Sequence, residues 1–228
     1  MPESYPPPVE ALLSLGDVRG KEEEDYRAMG LGTEHIPDLI RMVEDEELHL
    51  ADNDSPEVWA PLHAWRALGQ LRAKAAIEPL LGLLYRIDDF NDDWVSEEIP
   101  DILAKIGPAA IEPTIAYLAD IANPLWARSA AADALLKIAQ RYPDTREVCV
   151  RTLMAQLEHY PEQDVTLNAF LVDALTELKA VEAAPLIKRA FDALAVDERV
   201  RGGWQKVQRD LGLKPAKKKR TKKRKKRK

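Results

Sequence analysis

Three tryptophans and the carboxylates around them are the side chains in this chain best suited to recognition chemistry. Trp59, Trp94 and Trp126 each follow an acidic stretch: Asp52-Asn53-Asp54, then Asp88-Asp89-Phe90-Asn91-Asp92-Asp93, then Asp120. Glu162-Gln163-Asp164 is a fourth such stretch, and Glu97 and Glu98 follow Trp94 by one helical turn. An exposed indole is a strong contact residue at protein interfaces, and the neighbouring carboxylates would make this edge negative. The residues that this reading assigns to partner binding are Trp59, Trp94, Trp126, Asp89, Asp92, Asp93, Glu97 and Glu98. A plainer reading also stands, in which each indole covers a joint between structural units and the acids cap helices.

Other chemistries find no foothold in the sequence. The four histidines, His35, His49, His63 and His159, have no histidine partner at metal-ligand spacing, and no His-Glu dipeptide occurs. The acidic loops lack the alternating aspartates, glycine and distal glutamate of a calcium loop. Cys149 lies in an apolar Val-Cys-Val run, where a cysteine acts as a small hydrophobe rather than a nucleophile. There is no nucleophile-elbow serine and no glycine-rich phosphate loop. The expectation is a non-catalytic protein with no cofactor and no metal site.

The C-terminus carries a different charge. Residues 214–228 hold 12 Lys or Arg and no acid. Without those 12 the chain's 33 basic residues fall to 21 against 39 Asp and Glu, so an acidic body of formal charge −18 ends in a basic tail. Lys217, Lys218, Lys219, Arg220, Lys222, Lys223, Arg224, Lys225, Lys226, Arg227 and Lys228 suit a polyanion, and RNA or DNA is the natural candidate. Two other uses remain open: a solubilising appendage, or a clamp that folds back on the acidic edge. The segment Pro215 to Arg220 also resembles a nuclear import signal, which matters only in a nucleated cell. No secretory leader and no apolar run of membrane-spanning length is evident, so a soluble cytoplasmic protein with no membrane partner is expected.

The elements that must position the indoles repeat. Val58 to Leu71 returns as Asp93 to Ile106, Leu125 to Ile138 and Val165 to Leu178. The eleventh position is always leucine (Leu68, Leu103, Leu135, Leu175), and the apolar positions 3, 7, 10, 11 and 14 share one helical face. Trp59, Trp94 and Trp126 all hold position 2, which lies 180° from position 11 at 100° per residue. They are expected on one rim, beside the acidic loops. A second helix follows each pattern and begins with proline in its first turn: Pro37, Pro79, Pro113 and Pro185. Units are read at 22–48, 55–86, 92–121, 124–159 and 164–196, with a half-unit at 199–212. Ser55, Asn123 and Asp164 are expected N-caps. A short helix at 9–15 closed by Gly16 precedes a charged linker at 20–24. The domains are then a Pro-rich segment at 1–21, a repeat domain at 22–213 and a disordered tail at 214–228.

These paired units, with the Arg128 to Leu135 run and the Ala-Ile-Glu-Pro starts at Ala76 and Ala110, resemble HEAT-like repeats of the phycobilisome-lyase type. The resemblance spans 22–212 and implies an all-α right-handed solenoid of about five helix pairs. His63 to Leu71 and Gly203 to Leu213 further resemble bacterial HEAT-like proteins with no assigned activity, some of which end in a cysteine-rich zinc motif that this chain lacks. Three functions follow as expectations. One is a scaffold or adaptor that binds a protein partner through its acidic, Trp-flanked edge. Another is nucleic-acid or polyanion binding through the tail. The third, implied by the repeat type alone, is a bilin-lyase-like enzyme. Neither the partner's identity nor the oligomeric state can be read from the residues.

Overall fold

The computed structural model describes residues 4–20 and 23–214. The tail residues assigned above to polyanion binding, Lys217 to Lys228, lie outside them. Among the described residues there are thirteen α-helices and no strand. The helices are α1 (Ile36–Val43), α2 (Glu46–His49), α3 (Ala60–Leu71), α4 (Ile77–Gly82), α5 (Arg86–Phe90), α6 (Asp93–Ile106) and α7 (Ile111–Ala119). They continue with α8 (Leu125–Arg141), α9 (Arg146–Glu158), α10 (Val165–Glu177), α11 (Ala184–Asp192), α12 (Glu198–Arg201) and α13 (Trp204–Asp210).

The fourteen-residue pattern forms α3, α6, α8 and α10, and its leucines do what their spacing requires. Leu68, Leu103, Leu135 and Leu175 are each fully buried. Consecutive members of this row touch: α3 on α6, α6 on α8, α8 on α10, and α10 on α12 and α13. The second helices make a parallel row, with α1 on α4, α4 on α7, α7 on α9 and α9 on α11. The two rows bury their apolar faces against each other, since α1 packs on α3, α4 on α6, α7 on α8 and α9 on α10.

Each second helix enters through one 3-10 turn: Thr33–His35, Lys74–Ala76, Pro108–Ala110, Pro143–Thr145 and Val181–Ala183. Pro37 and Pro185 stand in the first two helical positions and Pro79 and Pro113 in the third, where a missing amide breaks no intrahelical bond. Between α6 and α7 the chain turns at Gly107, φ +108°. A Cβ there would lie 3.0 Å from the Tyr142 hydroxyl, so both backbone and neighbour demand glycine.

Some local expectations are corrected. The stretch around Asp88 is not a loop: Arg86–Phe90 is helix α5, ended by Asn91 in the left-handed region at φ +52°. Residues Val9–Ser14 form a 3-10 helix, with Gly16 at φ +66° just beyond it. Asp164 caps α10 as expected, accepting from the Thr166 amide at 2.7 Å. Ser55 makes no capping bond with its side chain, and Asn123 instead donates to the Tyr117 carbonyl at 2.8 Å. The half-unit at 199–212 is two short helices, α12 and α13. Among the described residues no single helix is long and apolar enough to cross a membrane.

Candidate binding cleft

Helix α8 begins after Pro124, whose side chain cannot accept a hydrogen bond, so its first amides need a partner from elsewhere. Asp88 of α5 provides it. Its carboxylate accepts from the backbone amides of Trp126 and Ala127 at 3.1 and 3.0 Å. This long-range cap seats the first turn of α8 and fixes where Trp126 stands. The indole meets the Phe170 ring of α10 edge-to-face, 5.8 Å between centroids, and keeps 44% of its surface exposed.

Around this pair lies a cleft of about 550 Å³, bounded by α5, α6, α8 and α10. That is within the range of ligand pockets. Four aspartates line it: Asp88, Asp93 at the start of α6, Asp133 two turns along α8, and Asp173 of α10. Among the described residues no lysine or arginine does. Asp133 and Asp173 hold position 9 of the repeat, as does Asp101 of α6.

The two position-9 carboxylates are held above their ordinary pKa by burial. For Asp133, proximity to Asp173 and Asp101 adds to the rise, while Lys137, 3.8 Å away, opposes it. For Asp173, Arg201 is the main opposing charge, with its guanidinium Nε 2.7 Å from Asp173 Oδ1. That contact is close but off the hydrogen-bonding axis. Arg201 is itself buried, and it also approaches Asp210 at 3.1 Å. Among the described residues, no three His, Cys, Asp or Glu side chains are placed to share a metal ion. The arrangement suits a cation that meets carboxylates one at a time and lays its charge on an aromatic face.

The residues singled out from the sequence separate into distinct places. Trp59 and Trp94 meet each other edge-to-face at 5.5 Å, half-buried between the 3-10 turn Pro56–Trp59 and α6, and the Arg19 guanidinium lies 5.2 Å above Trp59. Trp126 belongs to the next junction but one. Asp93 lines the cleft; Asp89 is exposed on α5; Glu97 lines a neighbouring groove beside Asp101 and Lys137. Asp92 and Glu98 have structural work. Asp92 caps α6 through the Val95 amide at 3.1 Å and pairs with the buried Arg86 at 3.4 Å. Glu98 accepts from Arg66 Nε and Nη2 with its two oxygens, and from the Trp65 indole N–H at 2.9 Å.

Phe170, Asp133 and Asp173 were missed by the sequence reading. Their signal was available: aspartate recurs at position 9 in three of the four patterns, one residue from the core, where a charge needs a reason. His63, His49 and Cys149 are held in the packing, while His35 accepts from the Gly32 amide at 3.0 Å and His159 is exposed. His63 is buried between the Tyr26 hydroxyl and the Gly16 carbonyl, 2.8 Å from each, so Nε2 donates to the carbonyl and Nδ1 accepts from the tyrosine. His49 Nε2 donates to the Val43 carbonyl at 2.8 Å, and burial raises the pKa of Cys149.

Comparisons with protein-family models, with curated proteins and with solved structures find no match.

Proposed function

We propose that this protein is a HEAT-like helical-repeat scaffold whose α5–α6–α8–α10 cleft binds a lysine- or arginine-rich segment of a protein partner. The observation that carries the reading is the cleft's composition: four aspartates and a half-exposed tryptophan, with no basic residue among the described residues of the lining. A guanidinium or ammonium entering there would meet Asp93 and the half-paired Asp133, whose neighbour Lys137 stands 3.8 Å away, and its apolar stem would lie on Trp126 and Phe170. The succession of helices in two packed rows supports the solenoid reading, because such arrays present side chains of successive units along one surface.

The test is affinity capture with a body lacking residues 215–228, after nuclease treatment, run beside an Asp93→Asn/Asp133→Asn double variant. The reading expects partners with basic segments on the parent body and their loss from the variant. Equal recovery on both bodies would place binding elsewhere.

A further inference from the structure

The described chain ends at Lys214, four residues past Asp210, which Arg201 joins to the cleft wall. Trp204 of α13 packs against Phe191 of α11, and Val207 and Leu211 are buried. Beyond α13 the backbone turns at Gly212, φ +78°, and the amides of Leu213 and Lys214 return to the Gln208 carbonyl at 2.8 and 3.3 Å. Arg201 then links the end of α13 to the cleft wall, because its one guanidinium approaches both Asp210 and Asp173.

Fourteen residues follow Lys214, and eleven of them are Lys or Arg. Fully extended they reach about 46–50 Å, several times the span of one guanidinium bridge. A tether this short holds its end near the body at an effective concentration on the millimolar scale. The cleft carries four aspartates and, among the described residues, no basic side chain in its lining. Length, exit point and charge therefore converge on one occupant.

We infer that the segment 217–228 of this chain docks in cis into the cleft, placing basic side chains on Asp93 and Asp133 and one cation against Trp126. The inference rests on the proposed reading of the cleft as a site for basic segments. Its consequence is self-occupancy: a partner's basic segment must displace the tail, so the tail sets the threshold for binding.

A fluorescent peptide of sequence 214–228 tests this by anisotropy against the full-length chain and the chain lacking 215–228, at low and high salt. The truncation leaves every described residue in place. The expected result is binding to the truncated body, weakening with salt, and at least ~10-fold weaker binding to the full-length chain, whose cleft is already filled. Truncated Asp93→Asn/Asp133→Asn protein should bind at least ~10-fold more weakly than the truncated parent. Its thermal unfolding, followed by circular dichroism, controls for folding. If the peptide fails to bind the truncated body, the cleft reading and the tail inference both fall. If truncated and full-length chains bind it equally, the cis docking alone is overturned. Peptide binding unaffected by the double Asn variant would also overturn the inference. So would a full-length chain that dimerises only with its tail present, because the tail would then act in trans.

Discussion

The Trp59–Trp94 junction and the Trp126–Phe170 junction share a design and differ in outcome. Both join units through an edge-to-face aromatic pair, at 5.5 and 5.8 Å. At the first, position 9 of α3 is Arg66, which grips Glu98 at position 6 of α6, and Arg19 lies over the outer indole. The charges of that seam pair with each other, and Arg66 and Glu98 line a groove of about 360 Å³ beside it. At the second, position 9 is Asp133 on α8 and Asp173 on α10, position 6 of α10 is Phe170, and a cleft opens among them. On the proposed reading, a change of charge at one repeat position separates a joint whose charges pair internally from a site that would attract cations. It also explains how a tryptophan at one register can be structural in one unit and available in another.

The core under both junctions should respond alike. Leu68→Ala beneath the first and Leu135→Ala beneath the second each remove a fully buried side chain, so each should cost about 2–5 kcal/mol in urea unfolding. A large disparity between the two would mean that the units are not equivalent in packing, and the comparison would lose its footing.

The aromatic pairs should not respond alike. Trp94 is half-buried between two aromatic and aliphatic surfaces, and Trp94→Ala should destabilise by about 2–3 kcal/mol. Trp126, 44% exposed, should lose nearer ~1 kcal/mol on the same change. Its larger effect should appear in binding of a basic peptide. Equal destabilisation at both sites would show that Trp126 is as structural as Trp94.

The charge pairing of the first junction can be broken from one side. Arg66→Met strands Glu98, whose side chain is only 17% exposed, with the Trp65 indole as its remaining donor. A loss of about 2 kcal/mol is expected, smaller than for a fully buried pair. The Arg66→Met/Glu98→Met double variant should recover most of it, since an apolar pair strands no charge. A double variant as unstable as the single would locate the cost in lost packing instead.

How much of this was legible beforehand differs between fold and site. Leu68, Leu103, Leu135 and Leu175 announced the helical row because burial imposes a period, and the first-turn prolines announced its partners. The cleft was hidden because it depends on which position-6 and position-9 side chains meet across two helices, and no single unit displays that. Glu98 and Asp92 looked like surface acids for the same reason: their partners, Arg66 and Arg86, come from other elements. Asp88 was read as a loop acid, yet it caps a helix 38 residues away. Local spacing carries caps to the next turn and no further.

The smallest effect concerns protons in the cleft, and it separates the two junctions by sign. Burial raises the Asp133 and Asp173 carboxyls above their unfolded values, helped by Asp101 near Asp133 and by Glu177 and Asp210 near Asp173. Lys137, Arg201 and Lys206 oppose the rise without cancelling it. The folded state therefore holds more protons than the unfolded one between the ordinary aspartate pKa of about 4 and the raised folded values. The contribution of these groups to stability is present below that window and is lost as pH rises through it. Asp133→Asn, which cannot ionise, should thus gain stability relative to the parent as pH rises from acid to neutral, while Arg66→Met should show no such gain. A basic peptide reverses the preference, since it favours the charged carboxylates. Its affinity should climb with pH across the same window, with protons released on binding, as calorimetry in buffers of different ionisation enthalpy would record. An affinity that stays flat across this window would mean that the peptide does not sit against Asp133 and Asp173.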